Sequence, residues 1–140
     1  MATLRGPVLI VEDDPDIREA LQNFLESNGY PVLAASHGKE ALELIGHGPR
    51  PAVVVLDMSL PVMDGNRLLT ARKGDATLRS IPVIILSAAM AGMSPRDRAL
   101  YASSYGVAAF LGKPAEPQQV LEAVERHSLK AEEPTAGVPV

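Results

Sequence analysis

Five short apolar runs punctuate the chain: Val8–Val11, Val32–Ala35, Ala52–Leu56, Pro82–Leu86 and Ala108–Leu111. Three of them are continuous and β-branched, not alternating. That is how strands covered on both faces read, and such strands belong to parallel sheets. Longer amphipathic stretches lie between the runs. Asp16–Asn28 puts Ile17, Ala20, Leu21, Phe24 and Leu25 on one face, and Gly29 stops it. Lys39–Ile45, Asp64–Arg72, Pro95–Tyr105 and Glu116–His127 repeat the pattern. The sequence therefore predicts a strand–helix unit five times over, which implies a parallel sheet with helices on both faces. Right-handed crossovers join such units. The expected architecture is a flavodoxin-like (βα)5 three-layer sandwich with strand order 2-1-3-4-5. One domain over residues 6–128 is expected. Residues 129–140 lack periodicity, contain two prolines and read as a flexible tail.

Composition narrows the classes. The chain has 140 residues, 46% apolar but only 4% aromatic, so its core is aliphatic. It has no cysteine, which removes disulfides, thiolate metal sites and cysteine nucleophiles. A formal net charge of −4 argues against a dedicated nucleic-acid binder. No apolar run approaches the roughly 20 residues of a membrane span. The first residues lack a signal-peptide core. A cytoplasmic domain with no membrane contact is expected.

Ligands of open α/β sheets bind beyond the carboxyl ends of the strands. The residues just past each run are therefore informative. Glu12, Asp13 and Asp14 come after the first, Asp57 after the third, Ser87 and Ala88 after the fourth, and Lys113-Pro114 after the fifth. Strand order 2-1-3-4-5 brings the first and third ends together, so their acids must meet. Each residue has an ordinary explanation alone. Asp13 or Asp14 could cap the first helix, Ser87 could be a turn hydroxyl, and Lys113 could be a solvated charge. Together they are harder to dismiss. Carboxylates about 5 Å apart repel by about 3 kcal/mol per pair at an effective dielectric of 20. A divalent cation with a taste for hard oxygen, Mg²⁺ above all and Mn²⁺ as a substitute, would explain that arrangement. A lysine approaching from the other side suggests an anion completes it.

Four segments carry a resemblance: Val8–Asp14 (VLIVEDD), Leu56–Gly65 (LDMSLPVMDG), Ile85–Ala88 (ILSA) and Phe110–Pro114 (FLGKP). In order, at the ends of the expected strands, they resemble the receiver domain of two-component response regulators. The resemblance implies that Asp57 accepts a phosphoryl group as an acyl phosphate. It implies Mg²⁺ ligation by Asp13, by Glu12 through water, by Asp57 and by the backbone carbonyl of Ser59. Lys113 would grip a phosphoryl oxygen, Ser87 would hydrogen-bond it, and Ala88 would let a backbone N–H approach. Phe110 would turn inward near Ser87 as a switch aromatic. The signal would leave through the face made by the fourth helix, fifth strand and fifth helix, which could also form a homodimer. The partners would be a sensor histidine kinase or phosphotransfer protein and a downstream protein target. The chain would act as a signalling domain, not as an enzyme on an external substrate, and at this length as a stand-alone regulator.

Other residues have plainer readings. Asp14 reads as a helix cap, and Asp64-Gly65 as the start of the third helix. His37, His47 and His127 read as surface residues. Tyr101 and Tyr105 read as half-buried packing residues. The interval from Ser87 to Lys113 is about one helical turn longer than usual for the family, with the excess in residues 89–95.

Four alternatives compete. A receiver excised from a larger regulator or hybrid kinase would look the same. A Mg²⁺ phosphohydrolase with an aspartate nucleophile should carry Asp-x-Asp after the first strand, whereas Asp57-Met58-Ser59 lacks the second acid. A flavin-binding electron carrier needs a hydroxyl- and glycine-rich loop where Glu12-Asp13-Asp14 would repel phosphate. A receiver that no longer takes phosphate would be expected to lose some of the acid set or Lys113.

Overall fold

The computed structural model describes residues 5–58, 62–88 and 92–129, without the side chains of 62–67 and 105. Ser59, the start of the 89–95 segment, the side chain of Tyr105 and the tail from residue 130 lie outside the described residues.

Five parallel strands form one sheet: β1 (Val8–Val11), β2 (Val32–Ala35), β3 (Val53–Asp57), β4 (Val83–Ser87) and β5 (Ala109–Gly112). Their order is β2-β1-β3-β4-β5. The helices are α1 (Pro15–Ser27), α2 (Gly38–His47), α3 (Val62–Lys73), α4 (Ala76–Arg79), α5 (Pro95–Tyr105) and α6 (Pro117–His127). The fold is flavodoxin-like, as the alternation of patterns implied.

Strand side chains alternate between two layers. Leu9, Val11, Val54, Leu56, Val83, Ile85 and Phe110 face a cluster with Ala41 of α2, Leu68 of α3 and Ala102 of α5. Val8, Ile10, Val53, Val55, Ile84 and Leu86 face Leu21 and Leu25 of α1 and Val120, Leu121 and Val124 of α6. Both faces are thus covered, which is why the central strands are continuously apolar. Val8, Leu9, Val11, Val53, Leu56 and Ile84 are all fully buried.

The structure shifts several boundaries. β3, β4 and β5 each start and end one residue later than the apolar runs, so Asp57, Ser87 and Gly112 are strand residues. The first residue of each run, Ala52, Pro82 or Ala108, lies just before its ladder. α3 begins at Val62 instead of Asp64. The four-residue α4 has no periodicity to betray it; Asp75 caps it by accepting from the N–H groups of Thr77 and Leu78 at 2.8 and 3.2 Å. With α4 counted, the expected signalling face is α5-β5-α6. Finally, Ile17 and Ala20 do not share the burial of Leu21 and Leu25, since Ile17 is 42% exposed and Ala20 is exposed.

Candidate functional site

Register builds the site. Val11 pairs with Leu56 across β1 and β3, so the next residues, Glu12 and Asp57, stand level at the carboxyl end of the sheet. The ladder continues past the strands through Glu12 N–H to Ala35 O at 3.0 Å and Met58 N–H to Leu86 O at 2.9 Å. Asp57 is 2% exposed and Glu12 1% exposed. Asp13, outside the strand, is exposed. One carboxylate oxygen from each of Glu12, Asp13 and Asp57 lies within 4.8 Å of the others.

The turn from β1 into α1 is held by its own polar groups. Asp14 is the N-cap, accepting from the N–H groups of Asp16 at 2.9 Å and Ile17 at 3.2 Å. Its capping role agrees with the sequence reading. The Arg18 guanidinium donates to the carbonyl of Glu12 at 2.8 Å. Arg18 was not legible as part of the site: it lies six residues on, and only the helix brings it back.

Lys113 arrives just past the end of β5, its N–H donating to Ser87 O at 3.1 Å. Its ammonium donates to Asp57 Oδ2 at 2.9 Å. The contact is a charge-assisted hydrogen bond. Ser87 ends β4 opposite Gly112 and is half-buried, one strand position beyond the Asp57–Leu86 pair. Ala88 comes next, exposed. The carboxyl ends of β1, β3, β4 and β5 thus bring three acids, a lysine and a hydroxyl to one edge of the sheet.

Glu12 is the costly member. Asp14 N–H donates to its Oε2 at 3.2 Å. Its Oε1 is buried with no hydrogen-bond partner. Burial, and then the adjacent Asp57 carboxylate, push the Glu12 carboxyl up to about 8, against lesser lowering by the Asp14 N–H and Lys113. A buried carboxylate oxygen with no hydrogen-bond partner, beside two other acids, is a set of hard oxygen donors. It fits Mg²⁺ or Mn²⁺, which take carboxylate oxygen.

The Phe110 ring, expected as the switch aromatic, is placed inward and is only 7% exposed. It stacks edge-on against Tyr101 of α5, centroids 6.4 Å apart and planes at 75°. Tyr101 itself is 43% exposed. The histidines differ from one another. His37 is the N-cap of α2, its Nδ1 accepting from Glu40 N–H at 3.1 Å. His47 is exposed, and His127 is half-buried. No described helix is long and apolar enough to cross a membrane.

Comparison with known proteins agrees with this geometry. The family model of the response regulator receiver domain matches residues 8–125. The response regulator Rre1 of a Synechocystis strain is 38% identical over 87% of this chain and 51% of its own length. The chain therefore spans about half of that relative. The two-component response regulator ORR5 of rice is 36% identical over 81% of each chain. Among solved structures, the chemotaxis response regulator CheY4 of Vibrio cholerae superposes with a TM-score of 0.73 at 28% identity, covering 87% of this chain and 98% of its own. A receiver domain of a signal transduction histidine kinase from Syntrophus aciditrophicus gives 0.70 at 35% identity, covering 86% and 88%.

Proposed function

This chain belongs to the response regulator receiver family, and from that premise we propose that it accepts a phosphoryl group on Asp57 from a histidine kinase or phosphotransfer protein. The observation that carries the reading is the buried Asp57 carboxylate, paired to Lys113 and flanked by two further acids. A carboxylate is a competent nucleophile toward phosphorus. The bond formed is from an Asp57 oxygen to phosphorus. The bond broken joins phosphorus to the donor, and its electron pair leaves with the donor.

Glu12, Asp13, Asp57 and the carbonyl of Ser59 would hold Mg²⁺. When bound, the ion supplies charge neutralisation for the transferring group. The chain's own residues do the rest. Lys113 holds Asp57 in place before transfer and then has an ammonium to offer the phosphoryl oxygens. Ser87 brings a hydroxyl, and the small Ala88 leaves its backbone N–H accessible. These groups belong to the end of β4 and the segment leading into α5. Phosphorylation would therefore be read on the α5-β5-α6 face, by a local charge event biasing a packed surface. Acceptance and release of one phosphoryl group, without turnover of an external substrate, is the activity proposed.

Acetyl phosphate with Mg²⁺ tests it. Intact-mass spectrometry should show one added phosphoryl group on the wild type and none on Asp57→Asn. Labelling that survives the substitution would overturn the assignment of Asp57.

A further inference from the structure

Asp13 is the exposed acid of the cluster, so packing does not decide where its carboxylate stands. Its backbone does. The peptide plane before Asp13 carries the Glu12 carbonyl, to which the Arg18 guanidinium donates at 2.8 Å. The plane after it carries the Asp14 N–H, which donates to Glu12 Oε2 at 3.2 Å. Peptide units are rigid, so two tied planes leave little freedom to the residue between them. On the strand side, Glu12 N–H donates to Ala35 O at 3.0 Å. On the helix side, Arg18 N–H donates to Asp14 O at 2.9 Å. Arg18 therefore grips the chain on both sides of Asp13, with its side chain before it and its backbone after it.

Neither helix stability nor ion pairing accounts for an arginine at this place. α1 begins at Pro15, so Arg18 lies close to its amino end, where a cation opposes the helix dipole. Asp13, Asp14 and Asp16 are its neighbours along the chain. Even so, among the described residues its side chain donates to a backbone carbonyl and forms no ion pair. Glu40 of α2 is engaged elsewhere, accepting from the N–H and the hydroxyl of Ser36 at 2.6 and 2.9 Å. Those two bonds hold Glu40 below its ordinary value, and Arg18 contributes only after them.

We propose that Arg18 is a positioning residue for the Mg²⁺ site: by holding the Glu12 carbonyl, it sets the Asp13 carboxylate beside those of Glu12 and Asp57. The inference rests on the proposed reading of the acid cluster and extends it to a residue outside the donor set. Donors that are already gathered need not be ordered when the ion binds. Charge acts in the opposite sense. A guanidinium repels a dication, so removing an Arg18 that acted by charge alone would tighten Mg²⁺ binding. Removing one that positions Asp13 loosens it. The two roles differ in sign.

Isothermal titration calorimetry of Mg²⁺ into the full, unphosphorylated chain tests this. Arg18→Met should raise the Kd for Mg²⁺ by about tenfold, as for other groups that orient a metal ligand. In acetyl-phosphate labelling, the half-saturating Mg²⁺ concentration should rise in step, and the maximal rate should fall less than that. A Kd that is unchanged or lowered would overturn the proposal. So would labelling slowed by the same factor at every Mg²⁺ concentration, which is what a merely structural role predicts. Should Arg18→Met fold poorly by circular dichroism, Arg18→Lys takes its place. It keeps the charge on a side chain one atom shorter, without the planar fork, and should still raise the Kd severalfold; wild-type affinity in it would overturn the proposal. A wild type that binds no Mg²⁺ in the same titration would remove the proposed metal site and this inference together. Wild-type binding that Arg18→Met leaves unaltered would remove the inference alone.

Discussion

Replacing Glu12 by Gln removes the most expensive charge in the protein. Glu12 has an ordinary value of 4.5 and is pushed up to about 8 in the fold by burial and then by Asp57. Between those values the folded chain holds a proton that the unfolded chain has released. Unfolding free energy changes with pH in proportion to protons bound unfolded minus folded, so this group makes stability fall as pH rises. The fall begins near pH 4.5, reaches at most about 1.4 kcal/mol per pH unit, and ends near pH 8. At pH 7 the accumulated penalty is about 3 kcal/mol as an upper bound, from 4.5 and about 8. Gln has no such titration. Its amide takes over a site in which Oε1 already lacks a partner, a cost of about 1 kcal/mol or more. The variant should therefore be more stable than wild type by about 1–2 kcal/mol at pH 7 in metal-free buffer. The gain should vanish near pH 4.5. Urea unfolding in chelator at stepped pH measures this. Only the difference between the two curves is used, so histidine titrations shared by both cancel. A difference that stays flat across the window, or that grows toward low pH, would refute the placement of Glu12 as a buried acid beside Asp57.

Other consequences are independent of that one. Millimolar Mg²⁺ should raise the melting temperature of the wild type, more at higher pH, because ligation must displace the Glu12 proton; Glu12→Gln should respond less, and thermal melts show both. Lys113→Met breaks the 2.9 Å ion pair with Asp57 and should slow acetyl-phosphate labelling at least tenfold in a mass-spectrometric time course, while Mg²⁺-dependent stabilisation persists. Arg72 donates to the carbonyls of Ile81, Arg79 and Gly106; Arg72→Met should cost about 2–3 kcal/mol in urea melts, since it leaves several carbonyls without a donor. Burial and then the neighbouring Arg126 hold His127 below its ordinary value. Its contribution to stability is complete above pH 6.5 and is lost as pH falls below that toward its folded value; His127→Gln should flatten that part of the stability profile.

The strands were legible because they are buried on both sides: VLIV and VVVL admit few other readings in a chain of this pattern. Their limits were less so, since Asp57 and Ser87 are polar residues that stay in the ladder to its last rung. Asp57 remains there through its register with Leu86, and no pattern of apolarity marks it. α4 escaped notice because four residues carry no period. Its position depends on contacts outside the helix itself, among them Arg72 to the carbonyls of Arg79 and Ile81. The meeting of acids was legible from strand order alone. The burial of Glu12, the exposure of Asp13 and the orphaned Oε1 were not, because they depend on the turn that Asp14 and Arg18 hold.

Charge balance links the site to the α5-β5-α6 face. With all three carboxylates ionised and Lys113 present, the cluster carries a net charge of about −2, too much to keep in a partly buried site without a dication. On the proposed reading, converting the Asp57 carboxylate to an acyl phosphate adds close to one further negative charge. Glu12 and Asp13 can offer it no donor, and Lys113 has only one ammonium, so the added charge calls for further donors. The nearest in the chain's topology are the Ser87 hydroxyl and the backbone N–H of Ala88, at the end of β4. On that reading, drawing them in would bear on α5, the next described helix. There Ser94 caps the helix, accepting from Asp97 N–H at 3.1 Å, one turn before Arg98 and two before the Tyr101–Phe110 contact. A displacement of that helix would shift it against β5, which pairs with β4 in the sheet. The acid cluster's need for positive charge and donors is thus what would carry phosphorylation to the α5-β5-α6 face.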